Sequence, residues 1–434
     1  MKSISFLINC STNTLDHLRL LIKSLKENLS SPNSHEILIF VDSDNSDRSI
    51  YNYLKVVQSS FHDFKIITHK MIPCVGYSRN SNLLVELAKY DIVSYLQSDM
   101  VISPGYDADI LSALEDNCIL SATRIEPPLH GVSNRTITMN LGTDPNEFKW
   151  EQFQKMSVEF KKDIAIEYFF APFTFYKKVW IDVGGYDTLF RRSREDSDIL
   201  QRFIQKGVKI KQTYKANVYH FSCVSSRGKN WFDSSSKEAQ ARVQTQQQAD
   251  DIELLRFIRK WGNFNHGDRK LFKYDIDLLW KSESIIDLAQ IKPYFSRVWL
   301  SKEELKEQSV CSHRDEHIPA NQLLKFSNLD WENAERFYNK IDYNTVYQTG
   351  IPSDYNVLVT VDLKKDSMGN LASQEDIHFF LSNLTILNDI IAESDPGVYQ
   401  FGVATLHIKS KSNLAESQIV VKNPPFDYSL LTIE

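Results

Sequence analysis

The chain is 434 residues long, 42% hydrophobic, 24% charged and 12% aromatic, which gives it apolar mass for two globular domains and excludes a disordered, collagen-like or coiled-coil protein. Its 50 Lys and Arg stand against 56 Asp and Glu, and a formal charge of -6 excludes a global field that draws the molecule onto nucleic acid or anionic lipid. Five cysteines, Cys10, Cys74, Cys118, Cys223 and Cys311, are odd in number and never spaced C-x-x-C, so neither a disulfide framework nor a zinc ribbon is indicated and a reducing compartment is expected.

The opening MKSISFLIN moves directly into a strand pattern, without the apolar h-region and small-residue cleavage site of a signal peptide. The longest apolar runs, such as Ile4 to Ile8 and Ile37 to Val41, are far short of the roughly 20 residues that span a bilayer. A cytoplasmic protein without a transmembrane segment is expected.

Up to about residue 125, short apolar strands alternate with amphipathic stretches, the rhythm of β-α-β units with a parallel sheet. Ser5 to Ile8 is the first strand, and Leu15, Leu18, Leu21, Ile22 and Leu25 recur at helical spacing to cover it. Ile37 to Val41 and Phe64 to Thr68 are the second and third strands. Leu83, Leu84 and Leu87 mark a helix face, and Ile92 to Leu96 is the fourth strand. In open parallel sheets ligands lie outside the carboxyl ends of the strands, which directs attention to Asp42-Ser43-Asp44-Asn45-Ser46-Asp47 after the second strand and Gln97-Ser98-Asp99 after the fourth. The commoner use of Asp and Asn in such places is to make turns and cap helices, and it is their position after buried strands that favours a ligand.

A second segment, about 160 to 222, contains Gly184-Gly185-Tyr186-Asp187, then Arg194-Glu195-Asp196-Ser197-Asp198, then Val218-Tyr219-His220-Phe221. Residues 224 to 250 are polar, and Leu254, Leu255, Phe257 and Ile258 are expected to bring the chain back onto the first domain before Lys260-Trp261-Gly262, where the domain boundary falls. The division is 1–262 and 263–434. In the second part Val357 to Val361, Tyr399 to Ile408 and Ile419 to Val421 read as strands, and Ile377 to Ile391 as one amphipathic helix, giving a small α+β module with no catalytic constellation.

Taken together, these clusters resemble the GT-A glycosyltransferases, specifically the family 2 group, over roughly residues 1 to 262. The resemblance rests on motifs in the family's order: Phe6-Leu7-Ile8-Asn9-Cys10-Ser11 at the nucleotide pocket, the acidic turn from Asp42 to Asp47, Gly76-Tyr77-Ser78-Arg79-Asn80, and Gln97-Ser98-Asp99 where an Asp-x-Asp triad ends the fourth strand. Gly184-Gly185-Tyr186-Asp187, Glu195-Asp196-x-Asp198 and a strand ending in His220 follow. The text from Arg124 to His130 is similar to a subgroup from phages and environmental bacteria.

The resemblance implies an α/β protein with a Rossmann-like mixed sheet, transferring sugar with inversion from a nucleotide-diphosphate-sugar donor to a hydroxyl on a glycan or other acceptor. It implies Asp99 and His220 as ligands of a divalent cation, Mn or Mg, which neutralises the departing diphosphate. Asn9, Cys10, Asp42, Asp44, Gln97 and Ser98 would meet the nucleotide-sugar, and Arg79 the diphosphate, since a guanidinium suits phosphate oxygens. Asp196 is the general base, supported by Glu195, while Asp198 anchors their helix. Standing alone, the Arg-Glu-Asp-Ser-Asp run would be a solvated helix start and His220 a structural histidine. The chain departs from the family where Gln97 replaces the first carboxylate of the triad. Arg227, Lys229 and Trp231 fall in the polar stretch, where a lid over the donor is expected.

The G-x-G-x-x-G of dinucleotide enzymes and the G-x-x-x-x-G-K-[ST] of P-loop NTPases are absent, and Asn9 to Asn13 lacks the glycines of a nucleotidyltransferase phosphate loop. The rival from another class is a non-catalytic nucleotide- or glycan-binding protein in which Gln97 records a decayed metal site.

Overall fold

The computed structural model describes residues 2–11, 14–42, 48–69, 76–129, 133–190, 193–222, 253–264, 269–281, 291–300, 346–362, 374–412 and 428–434. These fall into two compact units, one made of the described residues 2–222 and 428–434, the other of those within 253–412. Among them no helix is long and apolar enough to cross a membrane.

The first unit opens with β1 (Ile4–Ser11), α1 (Leu15–Asn28), β2 (Glu36–Asp42), α2 (Ser49–Val57), β3 (Phe64–His69), α3 (Tyr77–Leu87) and β4 (Ile92–Gln97). The four strands pair in parallel in the order β3-β2-β1-β4. Ile4, Phe6, Leu7 and Ile8 are all buried, the continuous burial of a parallel strand covered on both faces, and Leu18, Leu21, Ile22 and Leu25 of α1 join the same core. Each strand reaches past the apolar run that announces it, because the polar residues Asn9, Asp42 and Gln97 at the ends continue the ladder.

Beyond β4 the sheet becomes mixed. The chain runs through β5 (Met100–Ile102), α4 (Tyr106–Ala113), β6 (Cys118–Glu126), β7 (Thr136–Thr138), α5 (Trp150–Glu159), β8 (Ala165–Ile166), β9 (Phe173–Tyr176), α6 (Lys177–Val183), α7 (Glu195–Gln205) and β10 (Lys209–His220). β9 lies antiparallel between β4 and β6, and β10 runs parallel to β6 and antiparallel to β5. This places His220 opposite Met100, and the Phe221 N–H donates to the Asp99 carbonyl at 3.1 Å, so the end of β10 is fastened to the turn between β4 and β5.

The second unit contains β11 (Ile276–Lys281), β12 (Arg297–Leu300), β13 (Val346–Thr349), β14 (Val357–Asp362), β15 (Gly397–Phe401) and β16 (Ala404–Ile408), in the order β13-β12-β11-β14-β16-β15. The first four are mutually parallel, and β16 and β15 add an antiparallel hairpin. The stretch expected as one strand from Tyr399 to Ile408 is this hairpin, turning at Gly402 with φ 60. The expected single helix is two, Gln374–Asn383 and Leu387–Glu393, with a 3-10 turn between them. Ile258 is buried in this unit's core and Leu254 packs against it, so the segment expected to lead back to the first domain packs with the second.

After this unit β17 (Leu431–Ile433) pairs antiparallel with β3, and Glu434 exchanges two backbone hydrogen bonds with Ile66. These last residues complete the first sheet, which has 11 strands among the described residues. The expected strand at Ile419 to Val421 and the polar stretch 224 to 250 lie outside the described residues.

Candidate functional site

At the carboxyl edge of the first sheet Asn9 and Gln97 are register partners at the ends of β1 and β4, and Ser11 and Asp42 at the ends of β1 and β2. Asn9 Nδ2 donates to Ser81 Oγ at 2.9 Å and to the Tyr95 hydroxyl at 3.0 Å, which fixes the amide and leaves its Oδ1 buried without a donor. Gln97 Oε1 and Asp99 Oδ1 are also buried without a hydrogen bond. A buried acceptor left unpaired costs about 1–3 kcal/mol, and native interiors contain few of them. Three of them lie on one edge of the sheet, at its strand-order reversal.

Asp99 is 1% exposed and shares the β4–β5 turn with buried Ser98. His220 Nε2 lies 3.8 Å from Asp99 Oδ1, beyond hydrogen-bond range, while its Nδ1 lies 2.7 Å from Glu126 Oε1 at the end of β6. In the neutral ring the carboxylate claims the Nδ1 proton, so the Nε2 lone pair faces Asp99. A nitrogen and an oxygen each about 2.0–2.2 Å from one divalent ion lie within about 4 Å of each other, and the unpaired Asp99 oxygen meets that requirement. Among the described residues no group of three or more His, Cys, Asp and Glu is assembled for a metal, so this pair is an incomplete set that needs outside oxygen ligands.

Arg124 on β6 adds a cation to these carboxylates. Its guanidinium stacks over Phe170 at 4.1 Å, reaches Glu126 at 3.4 Å and donates to the Ala171 carbonyl. Burial pulls its pKa below the ordinary value, against the attraction of Glu126, Asp99, Tyr168 and Asp196, so its field reaches both β4–β5 and α7.

The start of α7 separates two carboxylates. Asp198 and Arg202 form a fully buried ion pair one helical turn apart, Arg202 Nε reaching Asp198 Oδ2 at 2.9 Å. The same guanidinium donates to the carbonyls of Val183, at 2.6 Å, and Gly185, so α7 is tied to the turn after α6. That turn needs its glycine: Gly185 has φ +68, and a Cβ there would stand 2.5 Å from Asn82 Oδ1, the atom that accepts the Tyr186 N–H. Asp196, by contrast, is exposed, its Oδ1 accepting from the Ser197 N–H at 2.6 Å, and Glu195 is half-buried. Asp198 is thus an anchor, as expected, while Asp196 is open to solvent.

The remaining expected residues are less closely gathered. Asp42 Oδ2 accepts from the Gly76 N–H at a long 3.4 Å, linking β2 to the start of α3, where Arg79 lies half-buried in the first turn. Cys10 does not present its side chain to the edge. Its thiol donates to the Phe40 carbonyl at 3.3 Å and burial pushes its pKa up, because alternation turns Cys10 inward between the outward Asn9 and Ser11. Asp44 and the lid residues Arg227, Lys229 and Trp231 lie outside the described residues. Glu126, Ser81 and Tyr95 were not expected; Glu126 could have been found by the rule applied to Gln97, a polar residue closing a buried strand.

No family model and no curated protein matches the chain. Similar solved structures include a crystal structure of GalNAc-T7 with UDP, GalNAc and Mn2+, at 12% identity and TM-score 0.40, covering 51% of this chain and 44% of that one. The crystal structure of S. aureus TarS is similar at 13% identity and TM-score 0.36 over 59% of this chain and 44% of that one. TarS 1-349 in complex with UDP gives 12% identity and TM-score 0.35 over 59% and 66%. The match spans less than half the length of GalNAc-T7 and of the longer TarS chain. The structure is that of an α/β protein whose mixed sheet gathers polar and acidic side chains at the carboxyl ends of β1, β2, β4 and β10.

Proposed function

We propose that the first unit is a divalent-metal-dependent glycosyltransferase of the GT-A type, moving a sugar from a nucleotide-diphosphate-sugar to an acceptor hydroxyl with inversion. The observation that carries this reading is the buried, undonated Asp99 Oδ1 facing His220 Nε2 at 3.8 Å, with His220 held from behind by Glu126 at 2.7 Å. Asp99 and His220 would hold the cation, which when bound supplies positive charge to the departing diphosphate. Glu126 fixes the imidazole, a positioning role that raises its basicity toward a cation.

Asn9 and Gln97 offer their unpaired oxygens to nucleotide hydroxyls, and Asp42 faces the same edge at β2. Arg79 meets phosphate oxygens from the first turn of α3, where helix N–H groups add to its charge. Asp196 takes the acceptor proton as the acceptor oxygen bonds to the anomeric carbon and the sugar–phosphate bond breaks, releasing the nucleoside diphosphate. Its exposure suits a base that meets a substrate arriving from solvent.

The test is thermal unfolding with UDP, GDP and dTDP, each with and without Mn2+ or Mg2+. A metal-dependent rise is expected with one nucleotide, worth roughly 2.7 kcal/mol at 100 times Kd, and absent in Asp99→Asn. A folded chain that responds to none of these pairs overturns the reading and leaves the non-catalytic alternative.

A further inference from the structure

One helix, α3, bonds both to the nucleotide edge of the first unit and to the turn that precedes the base. At the edge, its Ser81 Oγ receives Asn9 Nδ2 at 2.9 Å, two residues from Arg79. On another flank Asn82 is buried and fully committed. Its Oδ1 accepts from the Tyr186 N–H at 2.7 Å and from Trp180 Nε1 at 3.2 Å, and its Nδ2 donates to the Tyr186 carbonyl at 2.8 Å. One carboxamide thus pairs both polar groups of a single backbone residue, as a strand partner does. Ser78, one helical turn earlier, donates through Oγ to the Phe190 carbonyl.

The turn held in this way is also held by the helix of the base. Arg202 of α7 donates to the Val183 and Gly185 carbonyls and pairs with Asp198, two residues beyond Asp196. Ser78, Asn82, Asp198 and Arg202 are all buried, so the chain of contacts from α3 to α7 is shielded from water. α7 starts on Arg194, whose φ of 64 lies in the left-handed region that non-glycine residues seldom adopt. Such a backbone persists only where its surroundings hold it.

We propose that Asn82, seconded by Ser78, is a positioning residue for sugar transfer, holding the 186–190 segment to α3 so that Asp196 meets the acceptor oxygen at the donor's anomeric carbon. The proposal rests on the reading of Asp196 as the base. Both residues act through the backbone of that segment and not on substrate. A base displaced by about 1 Å costs on the order of 10²-fold in rate with no matching loss of donor affinity.

The experiment compares wild type, Asn82→Asp, Ser78→Ala, Asp196→Asn and each of the first two combined with Asp196→Asn. Hydrolysis of UDP-glucose, UDP-GalNAc, GDP-mannose and dTDP-glucose with Mn2+, water taking the acceptor's place, gives kcat, and calorimetric titration with the matching nucleoside diphosphate gives Kd. Asn82→Asp keeps the acceptor for the Tyr186 N–H and loses the donor to its carbonyl. It is expected to lower kcat about 10²-fold with Kd near wild type, and Ser78→Ala, which removes one hydrogen bond, should lower kcat less in the same pattern. Combined with Asp196→Asn, either substitution should cost little more, because groups that act as a unit are not additive. A full independent loss in the double variants, a Kd weakened in step with kcat, or kcat unchanged in both single variants overturns the positioning role. If Asn82→Asp does not fold, Ser78→Ala decides the matter by the same comparison. Wild type that turns over none of the donors overturns the reading of Asp196, and the proposal with it, so the two failures are told apart.

Discussion

The two sheets begin with one strand order and finish their edges differently. In the first, the ends of β1 and β4 bury Asn9, Gln97 and Asp99 oxygens that receive no donor; in the second, the equivalent ends carry an exposed Lys281 and Asp362. Strand order sets where a ligand can lie, whereas burial at the strand ends sets how strongly the site needs one. An unpaired buried acceptor is a standing cost that a ligand removes, whereas an exposed charge is already solvated.

This contrast is broken most severely at the first edge. Asp196→Asn is expected to lower kcat by about 10²- to 10⁴-fold while the donor Kd stays near wild type, measured as nucleoside diphosphate release; a parallel fall in donor affinity would place Asp196 in binding instead. Glu126→Gln keeps the shape but loses the charge behind His220. Mn2+ affinity, read by electron paramagnetic resonance, should fall about 10- to 100-fold, and Glu126→Asp should recover part of it.

Two further substitutions sharpen the comparison by touching only the scaffold of the first unit. Arg202→Met strands buried Asp198 and releases the Val183 and Gly185 carbonyls, and urea unfolding should show a loss of about 3–5 kcal/mol. The smallest effect concerns Asp107: burial disfavours its charge, but the hydrogen bond from His35 and the Ser30 and Ser31 N–H groups outweigh this and lower its pKa to about 2. A depressed folded-state value means its contribution, roughly 2 kcal/mol, is complete above the ordinary carboxylate value of 3.8 and is lost as pH falls toward 2. Asp107→Asn should flatten that acid limb of the unfolding curve, and an unchanged limb would exclude the clamp.

Much of the first sheet was legible because buried parallel strands write themselves as continuous apolar runs, and the runs around Phe6, Leu38, Ile66 and Val93 are the observed β1 to β4. Asp99 and His220 were legible as polar residues closing such runs, and Asp198 as a helix anchor. The inward turn of the Cys10 thiol, which donates to the Phe40 carbonyl, was not legible, because a position in a run does not say which face its side chain takes. The hairpin at Gly402 was read as one strand because apolar alternation continues on both sides of the turn.

The sequence by itself determined the α/β class of the first unit, the strands β1 to β4 and the chemical type of the groups at their ends, since burial and periodicity are local properties of the chain. Only the tertiary structure decided which of those groups meet. Glu126 is 94 residues from His220, Tyr95 is 86 from Asn9, and β17 crosses nearly the whole chain to reach β3. Such pairings depend on sheet order and register, which are fixed by packing among strands far apart in sequence and leave no mark in the spacing of either partner.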